Sequence, residues 1–379
     1  MRVSQLSLRK SSPDMSDFAS LSALNPQLVI AFGSVSALKG SADAIGQAFP
    51  GAHRVGCSTA GEISADGVTD DSLVLTAVAF EKTQVKQFST VLQGMDDSMD
   101  AGRRLAAGLP AEGLKAVLIF GQGVQINGSA MLLGMTEVVG KNIPITGGLA
   151  GDGGAFAQTW TLDDQGVSND RLVCVGLYGD ELTFAHGSFG GWSPFGPARK
   201  VTRCVHNVLY ELDGEPALEV YKRYLGEHVK GLPASGLLFP FAMLGSDHNE
   251  LGLIRTILGV DEAAGSLTLA GDLEADGYLK LMHANTDALV DGAEAAAQAA
   301  KKMLSNSNEG LALLVSCVGR KLVMGGRVDE EVEAVADVFG QNATLTGFYS
   351  YGEISPFVSG SDCKLHNQTM TITYLSEAS

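Results

Sequence analysis

The chain has 379 residues, 45% of them hydrophobic and 18% charged, enough for a sizeable core and two or three domains. Its 26 basic residues face 43 acidic ones, a formal charge of −17, and no cluster of Lys and Arg of the kind needed by duplex nucleic acid or an anionic membrane surface appears, the densest stretch being Arg199-Lys200 with Arg203. The first twenty residues hold no signal-peptide core, no window nears about 18 apolar residues, and the five cysteines form no C-x-x-C pair; a soluble cytosolic protein without disulfides is expected.

In chain order, residues 1–20 are polar and mixed and read as an N-terminal tail. Gln27–Phe32, Leu73–Phe80 and Ala116–Phe120 are short apolar runs bounded by Gly and polar residues, as suits buried strands. Helical patterns cover Ser98–Ala107 and Ala130–Val139 between them. Arg171–Tyr178 is a further strand inside a β-rich stretch over 155–210, followed by a helix over Pro216–Leu225. The segment Gly231-Leu232-Pro233-Ala234-Ser235-Gly236 suggests a junction, so two domains are expected over 21–230 and 231–379. In the second lie a β-rich stretch over 250–285 with a strand at Leu251–Val260, helices at Thr286–Ser305 and Asp329–Phe339, and a strand at Leu311–Val318. Alternation of this kind predicts an α/β fold with added antiparallel, α+β-like pieces.

One repeat is evident. Gly56-Cys57-Ser58-Thr59-Ala60-Gly61-Glu62-Ile63-Ser64 and Gly347-Phe348-Tyr349-Ser350-Tyr351-Gly352-Glu353-Ile354-Ser355 both read G-x-x-x-x-G-E-I-S, and both follow strand, helix and strand. Ile145-Thr146-Gly147-Gly148-Leu149-Ala150-Gly151-Asp152 is a shorter cousin in the same context. A duplicated strand-helix-strand-GEIS unit, one copy near each end, is expected. The turns offer a Gly-rich backbone with Ser58, Thr59, Glu62, Ser350 and Glu353 as ligand-binding side chains; the alternative is that the carboxylates only cap or pair locally.

Catalytic patterns are thin: there is no H-E-x-x-H and no G-x-S-x-G elbow, and Cys57 alone is a remote nucleophile candidate. A protein without enzymatic activity is expected. Among seven scattered histidines, His186 stands in an unusual setting, with Phe184, Phe189, Trp192 and Phe195 around it in sequence and Gly and Pro shaping the segment. Such residues could wall a planar apolar cofactor, and a haem iron takes one neutral imidazole as proximal ligand; a core histidine bonded to backbone is the plainer alternative.

The G-C-S-T-A-G-E-I stretch near residue 60, G-G-L-A-G-D-G near 150, His186 to Pro197, and the C-terminal G-x-x-x-x-G-E-I-S-P together resemble the FIST domain family, in order and over nearly the whole chain. The resemblance implies a FIST N and a FIST C domain acting as an intracellular signal-input module. Within the family the chain looks like the NosP haemoproteins. That implies haem b with His186 on the iron, nitric oxide as the sensed gas, and a partner histidine kinase or cyclic-di-GMP pathway. Other FIST proteins imply instead a haem-free module for an amino acid or similar metabolite. The sequence leaves room for a homo-oligomer.

Overall fold

Runs rich in Val, Ile and Leu favour strands buried on both faces. The computed structural model, which describes residues 1–10, 12–304, 309–357 and 362–378, places every expected run in a sheet. A first unit comprises β1 (Arg2–Leu8), β2 (Leu28–Gly33), α1 (Val35–Ala48), β3 (His53–Ser58), a hairpin of β4 (Glu62–Ser64) and β5 (Gly67–Thr69), and β6 (Leu73–Ala79). A second repeats the plan: β7 (Gln84–Val91), α2 (Ser98–Ala107), β8 (Leu114–Gly121), α3 (Gly128–Val139), β9 (Ile145–Leu149), a hairpin of β10 (Thr161–Asp163) and β11 (Gly166–Ser168), and β12 (Arg171–Tyr178).

The third unit opens with β13 (Leu182–Phe189) and is then interrupted by a lobe. The lobe is a nine-stranded sheet of β14 (Ser193–Pro194), β15 (Arg199–Val205), β16 (Val208–Leu212), β17 (Glu215–Pro216), β18 (Phe241–Leu244), β19 (Glu250–Arg255), β20 (Ile257–Asp261), β21 (Ser266–Leu269) and β22 (Tyr278–His283), with α4 (Ala217–Leu225) packed on it. The third unit resumes with α5 (Thr286–Lys302), β23 (Gly310–Cys317), α6 (Val318–Met324), α7 (Asp329–Phe339), β24 (Ala343–Ser350), a hairpin of β25 (Gly352–Pro356) and β26 (Cys363–His366), and β27 (Met370–Glu377).

Each unit lays its strands in one order: β1-β6-β2-β3, β7-β12-β8-β9 and β13-β27-β23-β24, with the last two of each four parallel. The hairpins cross between units. Strand β10 pairs with β3, β25 with β9, and β4 with β24, so every unit's outer parallel strand is covered by another unit's hairpin. The two GEIS turns are equivalent, as the repeat requires: Ile63 opposes Gly347, and Ile354 opposes Gly147. Leu162 opposite Gly56 completes the set, so the cousin near residue 150 belongs to a full third copy.

Inner faces of the three sheets meet in one core that includes Leu28, Ile30, Val175, Leu313 and Val315. At its centre Phe32 stacks on Phe348 at 4.6 Å and meets Phe120 edge-on at 5.5 Å. Helices cover the outer faces in separate clusters. The Glu377 carboxylate at the chain's end accepts the Lys82 and Thr83 N–H groups at 2.8 and 2.6 Å, tying the third unit to the start of the second.

Four expectations change. Residues 2–8, read as tail, form β1, each of them paired in register with a residue of β6. The run Leu251–Val260 divides into β19 and β20 at the buried Thr256. The lobe is continuous across residue 230, where a domain boundary was set, since α4 and the turns at 226–238 pack into its core. The helix expected to reach Ser305 runs to Lys302, and Ser305 lies outside the described residues.

At Gly147 the backbone has φ 137°, and a Cβ would lie 2.0 Å from the Ile119 carbonyl oxygen. Gly147→Ala should therefore destabilise the fold by about 2–4 kcal/mol in urea unfolding. At Gly51 nothing lies within 4 Å of a Cβ, and Gly51→Ala should stay within about 0.5 kcal/mol of the parent. Equal stability of the two variants would contradict the close-approach account of the repeat.

Candidate functional site

The GEIS carboxylates sit where β4 and β25 leave their turns, and both are buried. Glu62 accepts from the Thr59 hydroxyl at 2.5 Å and from the Ser72 N–H and hydroxyl at 3.0 and 2.7 Å. Glu353 accepts from the Ser350 hydroxyl at 2.8 Å and from the Thr369 N–H and hydroxyl at 3.1 and 2.9 Å. Ser58 donates to the Gly151 carbonyl at 2.6 Å and accepts from the Trp160 N–H at 2.9 Å. Burial raises both carboxyls against these hydrogen bonds, Glu353 to about 7. With both oxygens of each carboxylate engaged, the motif closes turn onto strand. In the third copy Thr161 stands at the glutamate position and its hydroxyl donates to the Arg171 carbonyl at 2.8 Å. Cys57 is wholly buried, and burial pushes its thiol well above the ordinary range, which disfavours the thiolate a nucleophile needs.

His186 lies on β13, 6.4 Å from the Phe184 ring. It is 5% exposed, its Nδ1 makes no hydrogen bond among the described residues, and burial lowers its pKa, keeping the imidazole neutral. The other expected wall residues go elsewhere. Phe189 has the opposite strand parity and is exposed. Trp192 packs with Met282, Leu289 and Met324 while its indole N–H donates to the Gln368 carbonyl at 2.8 Å. Phe195 packs in the lobe core and meets His283 at 5.6 Å. A porphyrin needs a flat slot beside the ligating imidazole; these aromatic residues occupy three different neighbourhoods, so as a set they do not fit one. No group of three or more metal-ligating side chains occurs among the described residues.

A sizeable opening lies elsewhere, at the seam between the second unit and the lobe. A cleft of about 720 Å³ runs between α3 and the strands β18 and β19, lined by apolar Met99, Leu132 and Leu253 and by polar Ser129, Arg255 and Asp272. A second of about 310 Å³ shares Asn127, Asn207, Met95 and Leu365 with it and continues along Val124, Phe156, Leu258 and Tyr351. His186 lines neither. One GEIS turn thus reaches a cavity, through Tyr351 rather than through its glutamate.

Two polar arrangements fix these walls. The Tyr351 hydroxyl donates to Asp152, whose carboxylate also accepts the N–H groups of Phe156, Ala157 and Gln158 at 2.8 to 2.9 Å. Burial pulls Asp152 upward, but these bonds outweigh it and hold the carboxyl below its ordinary value. The loop so fastened lays Phe156 on Tyr351 at 4.1 Å, nearly parallel. Across the seam, among the described residues the buried Arg255 guanidinium donates to carbonyls alone, those of Asp272 at 3.0 Å, Ile254 at 3.1 Å and Leu365 at 3.3 Å. Burial lowers its pKa to about 10, with the nearby Asp272 charge opposing. Asn127, the N-cap of α3, donates to Asp272 at 3.1 Å. Arg255 and the Asp152–Tyr351 pair were invisible in the sequence; an Arg inside an apolar strand run, Leu251–Val260, was the available signal.

The FIST N domain family matches residues 27–215 and the FIST C domain family residues 217–356, so the two together account for most of the chain. An uncharacterized protein of Methanocaldococcus jannaschii is 35% identical over 96 residues, which cover 25% of this chain and 19% of that protein. The chain therefore matches about a fifth of the length of that curated relative. Among solved structures, a cyanuric acid hydrolase aligns with 99% of this chain and 99% of its own, at 9% identity and a TM-score of 0.36. Cyanuric acid hydrolase from A. caulinodans aligns with 100% and 99%, at 9% identity and 0.33. Likeness at that level carries no argument about function.

Glu353 gives a pH signature. Its folded pKa of about 7 exceeds the ordinary 4.5, so the folded state holds a proton that the unfolded chain releases. The associated stability is present below pH 4.5 and is lost as pH rises toward 7. Glu353→Gln should flatten that slope, removing up to about 3 kcal/mol of pH-dependent change in urea unfolding. A slope identical to the parent's would contradict the buried-carboxyl assignment.

Proposed function

The chain belongs to the FIST family, whose domains are sensory signal-transduction modules, and we propose that it does its sensing by holding a small ligand in the seam between the second unit and the lobe. The observation that carries this reading is Arg255, a buried guanidinium on the wall of the ~720 Å³ cleft that donates to carbonyls while the Asp272 carboxylate stands beside it without bonding it. Burying a cation is expensive, Asp272 offsets that cost from one side, and an anionic ligand on the guanidinium would add a charge-assisted hydrogen bond.

The seam also suits signalling. The chain enters the lobe near Gly190 and leaves it just before α5, and a single buried residue holds both crossings. Arg320 donates to the Gly190 carbonyl and to the Leu289 carbonyl at 2.8 Å, and pairs with Glu331 at 2.7 Å. A ligand that draws the lobe onto α3 changes the surface offered to a partner histidine kinase or cyclic-di-GMP enzyme. Coupling then equals the ligand's preference for one lobe position over the other. No helix is long and apolar enough to cross a membrane among the described residues. The protein acts through its partner and needs no catalytic group of its own.

Haem with nitric oxide is the second reading. Its support is the neutral, buried His186 with an unbonded Nδ1; the dispersed aromatic residues count against it. Protein produced with ample haem should show a Soret band that His186→Ala removes. Absence of haem uptake, or a band indifferent to His186→Ala, would end that reading.

The seam reading is tested by Ser129→Trp, which fills the cleft from the first turn of α3 with an indole. Thermal unfolding is followed against amino acids, short carboxylic acids and haemin. A ligand at about a hundred times its Kd should raise the parent's Tm by about 2–4 °C and leave Ser129→Trp unmoved. Shifts that persist in the variant would place binding elsewhere.

A further inference from the structure

The two clefts share a boundary, and the one that holds Arg255 carries the charged side chains. At the shared boundary Gly271 has φ 143°, and a Cβ there would lie 2.9 Å from Arg255 Nε, 3.0 Å from Cζ and 3.3 Å from Ser129 Oγ. The guanidinium therefore stands directly behind a bare glycine, and any side chain at that position would collide with it. Arg255 is 4% exposed, and its Nη2 has no hydrogen-bond partner among the described residues, while Nε and Nη1 both donate to carbonyls. Asn127 holds Asp272 at 3.1 Å, so that the carboxylate lies beside the guanidinium without bonding it.

The far end is apolar and partly aromatic. Phe156 and Tyr351 lie nearly parallel there, with Val124, Leu258 and Leu269 around them. The polar atoms of that loop are already spent on Asp152 and the Tyr351 hydroxyl, so on this wall a ligand meets ring faces and aliphatic groups.

We propose, resting on the seam reading above, that the joined cleft takes an organic acid with an apolar tail, its carboxylate on Arg255 and its tail against Phe156, Tyr351 and Leu258. An ionised acceptor on a buried guanidinium makes the strongest hydrogen bond open to this site, and the tail recovers the hydrophobic contribution. Asp96, Asp272 and Glu274 also line that cleft, together with Lys141 and Lys364.

The test uses 3-phenylpropionate as probe, titrated by calorimetry into the full-length protein. The uncharged 3-phenylpropionamide should bind ~10-fold more weakly or worse, because the amide loses the charge-assisted bond. Leu258→Ala, at a 41% exposed position that folding does not depend on, should weaken 3-phenylpropionate about three- to tenfold and leave acetate unchanged. Arg255→Lys should weaken the acid at least ~10-fold while leaving the amide alone; if that variant does not fold, the acid–amide comparison on the parent decides. Equal affinity for acid and amide, or no binding of the acid, would overturn the assignment. So would phenylalanine binding ten times more tightly than the acid, since a recognised ammonium would then define the ligand. If 3-phenylpropionate fails but Ser129→Trp still abolishes the shift caused by another compound, the carboxylate assignment falls and the seam reading stands.

Discussion

The fold depends on the covering of three sheet edges. Each unit builds a four-stranded sheet whose outer parallel strand, β3, β9 or β24, would otherwise present unpaired N–H and C=O groups to water. Each edge is closed by a hairpin donated from another unit, so no unit is complete without the others. The exchange forces the three sheets to face one another, and their inner side chains can then share a single core around Phe32, Phe120 and Phe348. The glycines at 56, 147 and 347 stand on these edge strands and answer to the neighbouring strand of their own unit. At each one a Cβ would fall about 2 Å from a carbonyl oxygen of the neighbouring strand, at 1.8, 2.0 and 1.9 Å respectively.

Much of this was legible in the sequence. The GEIS repeat carried its own spacing and context, and the strand runs had the length and composition of doubly buried strands. The third copy was harder to recognise because Thr161 replaces the glutamate, and because the turn after Gly147 is extended by the loop that holds Asp152 and Phe156. Strand β1 was lost to its half-polar alternation, which marks an edge strand as readily as a tail. The lobe was split at residue 230 because the helical turns there look like a linker in one dimension, although they pack into a core in three.

The candidate site was less legible, for a physical reason. Motif reading finds side chains that stand together in sequence, whereas the seam brings together Asn127, Arg255, Asp272 and Tyr351 from distant segments. The same contrast between sequence and space holds around His186. Aromatic residues close in sequence alternate across a strand and then leave it, so Phe184, Phe189, Trp192 and Phe195 part company in the fold. The GEIS glutamates, which look like ligand groups, are consumed by their own turns.

Amide hydrogen exchange addresses the central claim most directly, because it locates binding without presuming its chemistry. With 3-phenylpropionate and, separately, haemin added to the intact protein, the account predicts slowed exchange at 123–128 and 270–274, on the two sides of the seam, and little change along β13. Protection confined to 182–189, with 123–128 and 270–274 unaffected by either compound, would contradict it.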